Sequence, residues 1–393
     1  GVASSWWRYR LASPVLTLQL TLDHPDPSPK EQDMTSGQMT LPHAQGAQVA
    51  LEQLTTLQER FREGLNQLCL RFGDGTPLAR SEWLRDEGRH GGGWRLGLSE
   101  AGLLNQGSLN ISSVHYDDLP DKLLSSATAL SCIVHPRDPR APSLHTHVSW
   151  TALRGGRGGG WRMMADLNPS LVFEEDRVFF CESIDSSLGS LSEQQRRHMK
   201  AQGDKYFYIP SLDRHRGVAH YYLEQHQSGD EARDLELAIG FGERVIDTYL
   251  SILERAYLRA ESEGALTEAQ REAQLAYHSA YFLQVLTLDR GTSSGLLVHQ
   301  QNDAGILGSL PTRVNRELLL SWVDRQPEPQ GELLKRLVDA LPGEGRIATL
   351  SVEVRCALAQ VVRAHFQAHP EALKLQARGD ILPPTVAHHA TKG

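Results

Sequence analysis

Cysteine is scarce in this chain. The four present, Cys69, Cys132, Cys181 and Cys356, are isolated, and no two form a CxxC pair. That argues against a disulfide framework and suits a reducing compartment, so a cytoplasmic protein is expected. Long apolar runs are also missing: none approaches the ~18 residues that a membrane-spanning helix needs. Positive charge is not in excess. Forty Lys and Arg stand against 48 Asp and Glu, a net charge of −8, which gives nucleic acid no general electrostatic hold. No internal repeat breaks the chain into modules. The glycine-rich stretch at 154–160 lacks the GxGxxG and GxxxxGK[ST] spacings of phosphate cradles and is read as a hairpin turn. No nucleophile elbow is recognised, which leaves serine-hydrolase chemistry unsupported.

Chemistry is densest in residues 131–176, where His135, His145, His147, Arg137, Arg140 and Asp166 crowd together. Residues two apart share one face of a strand. From Leu144 to Trp150 this puts His145, His147 and Ser149 on one face and Leu144, Thr146, Val148 and Trp150 on the other. A strand of that kind presents polar groups to a cavity and packs its other side. Two chemistries fit these residue types. Arg137, Arg216 and Arg290 suit carboxylate binding, because a guanidinium pairs bidentately with a carboxylate; structural salt bridges are the plain alternative. His135, His145 and His147, with Asp166, have the ligand types of an open divalent-metal site; histidines bonded to substrate or to each other are its alternative.

Around this span the periodicity predicts helices at 47–70, from about 174, at 231–263, 331–341 and 351–368. Thr267 and Gln270 have capping-box spacing for another helix. Short strands joined by turns are expected between 83 and 115. Tyr281 to Leu288 reads as a buried strand closed by a turn at Asp289–Thr292. The basic-aromatic start and the polar, proline-rich residues up to 46 are read as an arm and linker. The main domain then runs 47–368, with a tail at 369–393. Strands clustered early, with helices before, between and after, indicate an α+β fold: a large antiparallel sheet with helices on both faces.

The ordered motifs are more specific than any single one. They are Asn110–His115 (NISSVH), Val134–Pro139 (VHPRDP), Ala141–His145 (APSLH), Asp166–Pro169 (DLNP) and Glu174–Asp176 (EED). Asp204 with Tyr206–Tyr208, Arg216–Gly217 and Leu288–Gly295 (LDRGTSSG) complete the set. In order and spacing the set resembles oxygen-dependent coproporphyrinogen III oxidases, over about 47–323. The resemblance implies an α+β homodimer that oxidatively decarboxylates propionate side chains of a tetrapyrrole to vinyl groups. Molecular oxygen is the co-substrate and no organic cofactor is needed. By position, His145 matches the family's proposed proton donor and Asp166 the acid proposed to hold pyrrole nitrogens. Ser131 matches a substrate-contacting serine and His135 a proposed metal ligand. Arg216 joins the catalytic set; Arg137, His147 and Arg290 join the substrate-binding set.

Several positions depart from the family pattern. Asn-x-Arg after the key histidine becomes His147 and Ser149, and three glycines before the aspartate become Arg162, Met163 and Met164. Two further ligand histidines fall at Cys181 and Ser211, and a Gly-Gly-Arg loop becomes His299–Asn302. These changes leave three readings: an oxidative decarboxylase, on coproporphyrinogen or on another carboxylate substrate; a metal-dependent oxygenase using His135, His145 and His147; or a non-catalytic tetrapyrrole- or metabolite-binding relative.

Overall fold

The computed structural model describes residues 38–156, 158–299 and 302–378. Most of the expected arm and tail therefore lies outside the described residues. The chain opens with α1 (Gln45–Phe72), then β1 (Ala79–Leu84), β2 (Gly91–Ala101), β3 (Leu104–His115), β4 (Leu124–Pro136), β5 (Ser143–Leu153) and β6 (Gly159–Asn168). Next come α2 (Glu174–Ser187), α3 (Glu193–Tyr206), the two-residue partners β7 (Tyr208–Ile209) and β8 (Arg214–His215), and β9 (Ala219–His226). Then follow α4 (Glu231–Glu263), α5 (Glu268–Thr287), α6 (Arg290–Val298), α7 (Asp303–Ile306), β10 (Arg313–Asn315) and α8 (Arg316–Ser321). α9 (Gln330–Asp339), β11 (Ile347–Thr349) and α10 (Val352–Ala368) complete the order. The main sheet has seven strands in the order β1-β2-β3-β4-β5-β6-β9, and every pairing in it is antiparallel. The expected α+β class holds. No helix among the described residues is long and apolar enough to cross a membrane.

Strand alternation divides the sheet into two unlike faces. One packs against α1 and α4. There Leu109, Ile111, Leu130, Cys132, Val134, Leu144, Val148 and Met163 meet Leu54, Phe61, Phe241, Val245 and Tyr249 in a continuous apolar core. α1 and α4 supply whole stripes at three- and four-residue spacing, which is why both are legible as helices. The other face looks toward α5 and α6 and is polar. Ser131 lies on it and Cys132 on the apolar face, as their alternation requires.

The reading fails at three places. Residues 281–287 belong to helix α5, not to a strand. Their side chains are buried nearly all round, and a run buried on all sides has no periodicity to tell helix from strand. The capping box of Thr267 and Gln270 does start that helix, so the signal for its true length was present. The Asp289–Thr292 segment does not close a strand. Asp289 is the N-cap of α6, its Oδ2 accepting from the Thr292 amide at 2.8 Å. Between 83 and 115 the strands are not short: β2 and β3 span 11 and 12 residues. The stretch just before α1 is tied to the body, since the Thr40 hydroxyl donates to the Gly88 carbonyl at 2.7 Å. Beyond α10, Pro370–Leu375 form a 3₁₀ turn, and the Ala377 amide donates to the Leu288 carbonyl at 2.8 Å.

Candidate active site

A cavity of about 350 Å³ sits between the polar face of the sheet and α5–α6. β4 contributes Ser131, β5 His145 and His147, and β6 Arg162 and Met164, each two residues from the next along its strand. Arg216 and Tyr281 close the wall. Ser131 stands opposite His147 in the β4–β5 register, and His145 opposite Asp166 in the β5–β6 register.

Arg216 is the hub. Its Nη2 donates to Asp166 Oδ2 at 2.9 Å and to His145 Nδ1 at 3.1 Å. Its Nε donates to Asn168 Oδ1 at 3.1 Å, while Nη1 has no hydrogen-bond partner among the described residues. The guanidinium also lies over the Tyr281 ring, 4.8 Å from its centroid. The residue after it must be small. A Cβ at Gly217 would meet Asp166 Oδ1 at 2.2 Å and the Leu167 carbonyl oxygen at 2.5 Å. The Arg-Gly pair thus lets one backbone turn press against the carboxylate that its own arginine binds.

An arginine can only donate, so its bond to His145 makes Nδ1 an acceptor and leaves the ring proton on Nε2. Burial and the Arg216 charge hold the His145 pKa well below its ordinary value. His145 is therefore a neutral imidazole, not a group that exchanges protons near pH 7 as its ordinary pKa suggests. His147 has no hydrogen-bond partner among the described residues, and burial with the nearby Arg162 charge pushes its pKa down to about 3.

The predicted residues separate into two groups. Ser131, His145, His147 and Arg216 come together on the cavity wall. Asp166 does not line the cavity; it is fully buried behind Arg216, as its counter-ion. Arg137 is exposed on the surface, away from the cavity. Arg290 is spent on the structure, its Nε donating to the Ala377 carbonyl at 2.8 Å.

The three-histidine metal site is not assembled. His135 lies outside the cavity wall. Its Nε2 donates to the Ser309 carbonyl at 3.1 Å and its Nδ1 accepts from the Ser143 hydroxyl at 3.1 Å, so both ring nitrogens are engaged. His135, His145 and His147 do not bring their ring nitrogens close enough to share an ion; among the described residues, one donor atom each of Asp204, His215 and His220 lie within 4.8 Å of one another.

Arg162, which stands where the family resemblance has a glycine, is a cavity cation, its Nε 3.2 Å from Glu224. Burial works against its charge, but Tyr222 and Glu224 more than offset that and its pKa is raised. Counting back by twos from Asp166 puts Met164 and Arg162 on the cavity face and leaves Met163 to the core. Gly291–Gly295 does carry GxSxG spacing, which the sequence reading passed over. Its Ser293 lies in the first turn of α6, buried, with its hydroxyl donating to the Asp289 carbonyl at 3.1 Å. It follows a helix, not a strand, and so is not the strained, exposed elbow of a hydrolase.

A family model described as coproporphyrinogen III oxidase matches residues 50–338. The matched span contains every strand of the main sheet and every residue of the cavity wall named above.

Proposed function

The chain belongs to the coproporphyrinogen III oxidase family, a family of oxidoreductases, and from that premise we propose an oxygen-dependent oxidative decarboxylase acting on a propionate-type side chain of a tetrapyrrole or smaller pyrrole. Converting a propionate to a vinyl group removes carbon dioxide, one β-hydrogen and two electrons. In this reading dioxygen accepts the electrons, and no organic cofactor takes part.

The observation that carries the reading is the Asp166–Arg216–His145 chain at the cavity wall. Buried and held in place by its partners, Arg216 acts more strongly on an anion than an arginine does in water. Arg216 Nη1 is available to a substrate carboxylate, while Asp166 behind it holds the guanidinium in place. His145 Nε2–H donates a hydrogen bond to the reacting side chain, and His147 offers a second polar contact. Leaving carbon dioxide gains from a site with little water. Arg162 and Met164 occupy the wall where the family resemblance has glycines, so the substrate is one that meets a further cation there. That favours a carboxylate substrate other than coproporphyrinogen. Assembly as a homodimer comes with the family reading, and the cytoplasmic setting rests on the isolated cysteines. Residues 281–287 are buried within the chain, so they offer a second copy no face.

Incubating the purified protein in air with coproporphyrinogen III, and separately with carboxyethyl-pyrrole substrates, tests the proposal by mass spectrometry. Loss of carboxyl carbon from either supports it. Tight binding of these compounds without loss of carbon would instead support a non-catalytic tetrapyrrole-binding protein.

A further inference from the structure

Behind Asp166, on the side away from the cavity, two histidines and an aspartate converge. Asp204 lies near the C-terminal end of α3, His215 on β8 and His220 on β9. One carboxylate oxygen and one ring nitrogen from each histidine lie within 4.8 Å of one another. Their convergence is fixed by close packing. α3 runs so near β9 that a Cβ at Gly203 would sit 2.7 Å from the His220 carbonyl carbon, which holds the neighbouring Asp204 against His220. The His220 ring is clamped between two others, His215 at 4.7 Å and Phe207 at 5.6 Å between centroids, both nearly parallel to it.

The hydrogen-bond count at His220 is unbalanced. Its Nδ1 is 2.8 Å from Asp204 Oδ1, and its Nε2 is 3.4 Å from Asp166 Oδ1. A neutral imidazole has one N–H, so it serves only one of these two carboxylates. His220 Nε2 and Asp166 Oδ1 are both buried and neither completes a hydrogen bond. A metal bound to Nδ1 and to Asp204, the two atoms drawing apart from their 2.8 Å contact, resolves this for a neutral ring: the ring proton then stays on Nε2 and points at Asp166. A protonated ring that donates to both carboxylates is the alternative that the metal titration tests. Metal, histidine and buried carboxylate in line is the arrangement that orients ligating histidines in metalloproteins.

We propose that Asp204, His215 and His220 form a binding site for one divalent transition metal of the zinc class, with Asp166 as the carboxylate that orients His220. Two imidazoles and one carboxylate suit zinc or cobalt and suit magnesium or calcium poorly. Three protein ligands leave a fourth tetrahedral position for water, and the Asp204 side chain is 62% exposed, so the metal has access from solvent. The site is separate from the cavity. It adjoins the candidate chemistry through Asp166 and through Phe207, which stacks on His220 and lines the cavity, and its existence does not depend on what the cavity does.

The test uses untagged full-length protein stripped with chelator. Zn²⁺ is titrated calorimetrically, and Co²⁺ is added while its visible absorption is followed. The expected result is uptake of one equivalent, a tetrahedral Co²⁺ spectrum, and no comparable uptake of Mg²⁺. His215→Ala and Asp204→Ala, both at partly or largely exposed positions, should each weaken Zn²⁺ binding by about 10–100-fold or more, with unchanged circular dichroism. No stoichiometric uptake by the wild type would overturn the proposal, as would uptake that survives undiminished in either folded variant.

Discussion

The two faces of the sheet are made by the same strands from alternate residues, and they do opposite work. On β5, Val148 enters the core against α4 while His147 and Ser149 beside it line the cavity. On β6, Met163 goes to the core, and Arg162 and Met164 go to the cavity. The apolar face is stabilised by burial, roughly 1.5–3 kcal/mol for each large side chain. The polar face buries two arginines, each with a carboxylate partner. Such pairs add little net stability, and breaking one is costly. A period of two residues thus separates stability from chemistry within single strands.

The sharpest way to break that comparison is Asp166→Asn. The substitution changes little volume, and from the motif alone it should leave the fold intact. The structure reverses that expectation, because it strands the buried Arg216 cation. A loss of about 3–5 kcal/mol in stability is expected, together with loss of turnover; urea denaturation measures the first. Phe241→Ala, on the apolar face, should cost a similar ~3–5 kcal/mol through the cavity it leaves. Turnover per folded molecule should be unchanged, and a fall in it that exceeds the unfolded fraction would blur the division between faces. His145→Gln should do the reverse: without the ring's fixed Nε2–H donor turnover falls about 100-fold, while the melting temperature moves little.

The smallest effect is a pH dependence shared by both sides of the cavity. Burial pushes the pKa values of His147 and His278 down from 6.5 to about 3. Below pH 6.5 the unfolded chain takes up protons that the folded chain refuses until about pH 3. Their contribution is therefore complete above pH 6.5 and is lost progressively as the pH falls through that window. Thermal melts should show His278→Gln less sensitive to pH than the wild type between 6.5 and 4.5. Equal slopes would mean that His278 does not carry this proton uptake.

Much of the architecture was open to reading because its signals are local. The stripe from Leu54 to Leu68 and the cap at Thr267 specify helices within a few residues. Alternation from His145 to Ser149 named the face that meets the cavity. Two of the failures share one cause, that burial by distant segments leaves no periodic mark. Tyr281 to Thr287 is buried on every side, so its period is hidden. His135, two residues beyond the cavity-lining Ile133 on β4, belongs by alternation to the polar face, yet Ser143, Ser309 and Tyr277 enclose it. Arg137 sits inside a family-like motif but turns outward. Asp204, His215 and His220 come from three elements, and no spacing in the chain announces that they meet.

The most direct measurement follows carbon dioxide released from a carboxyl-labelled substrate, by wild-type and His145→Gln protein, in air and under nitrogen. The expected result is release by the wild type in air alone, about 100-fold slower in the variant, which lacks the ring's fixed donor. Release that continues without oxygen, or that is unchanged when His145 is replaced, would contradict oxidative decarboxylation at the polar face of the sheet.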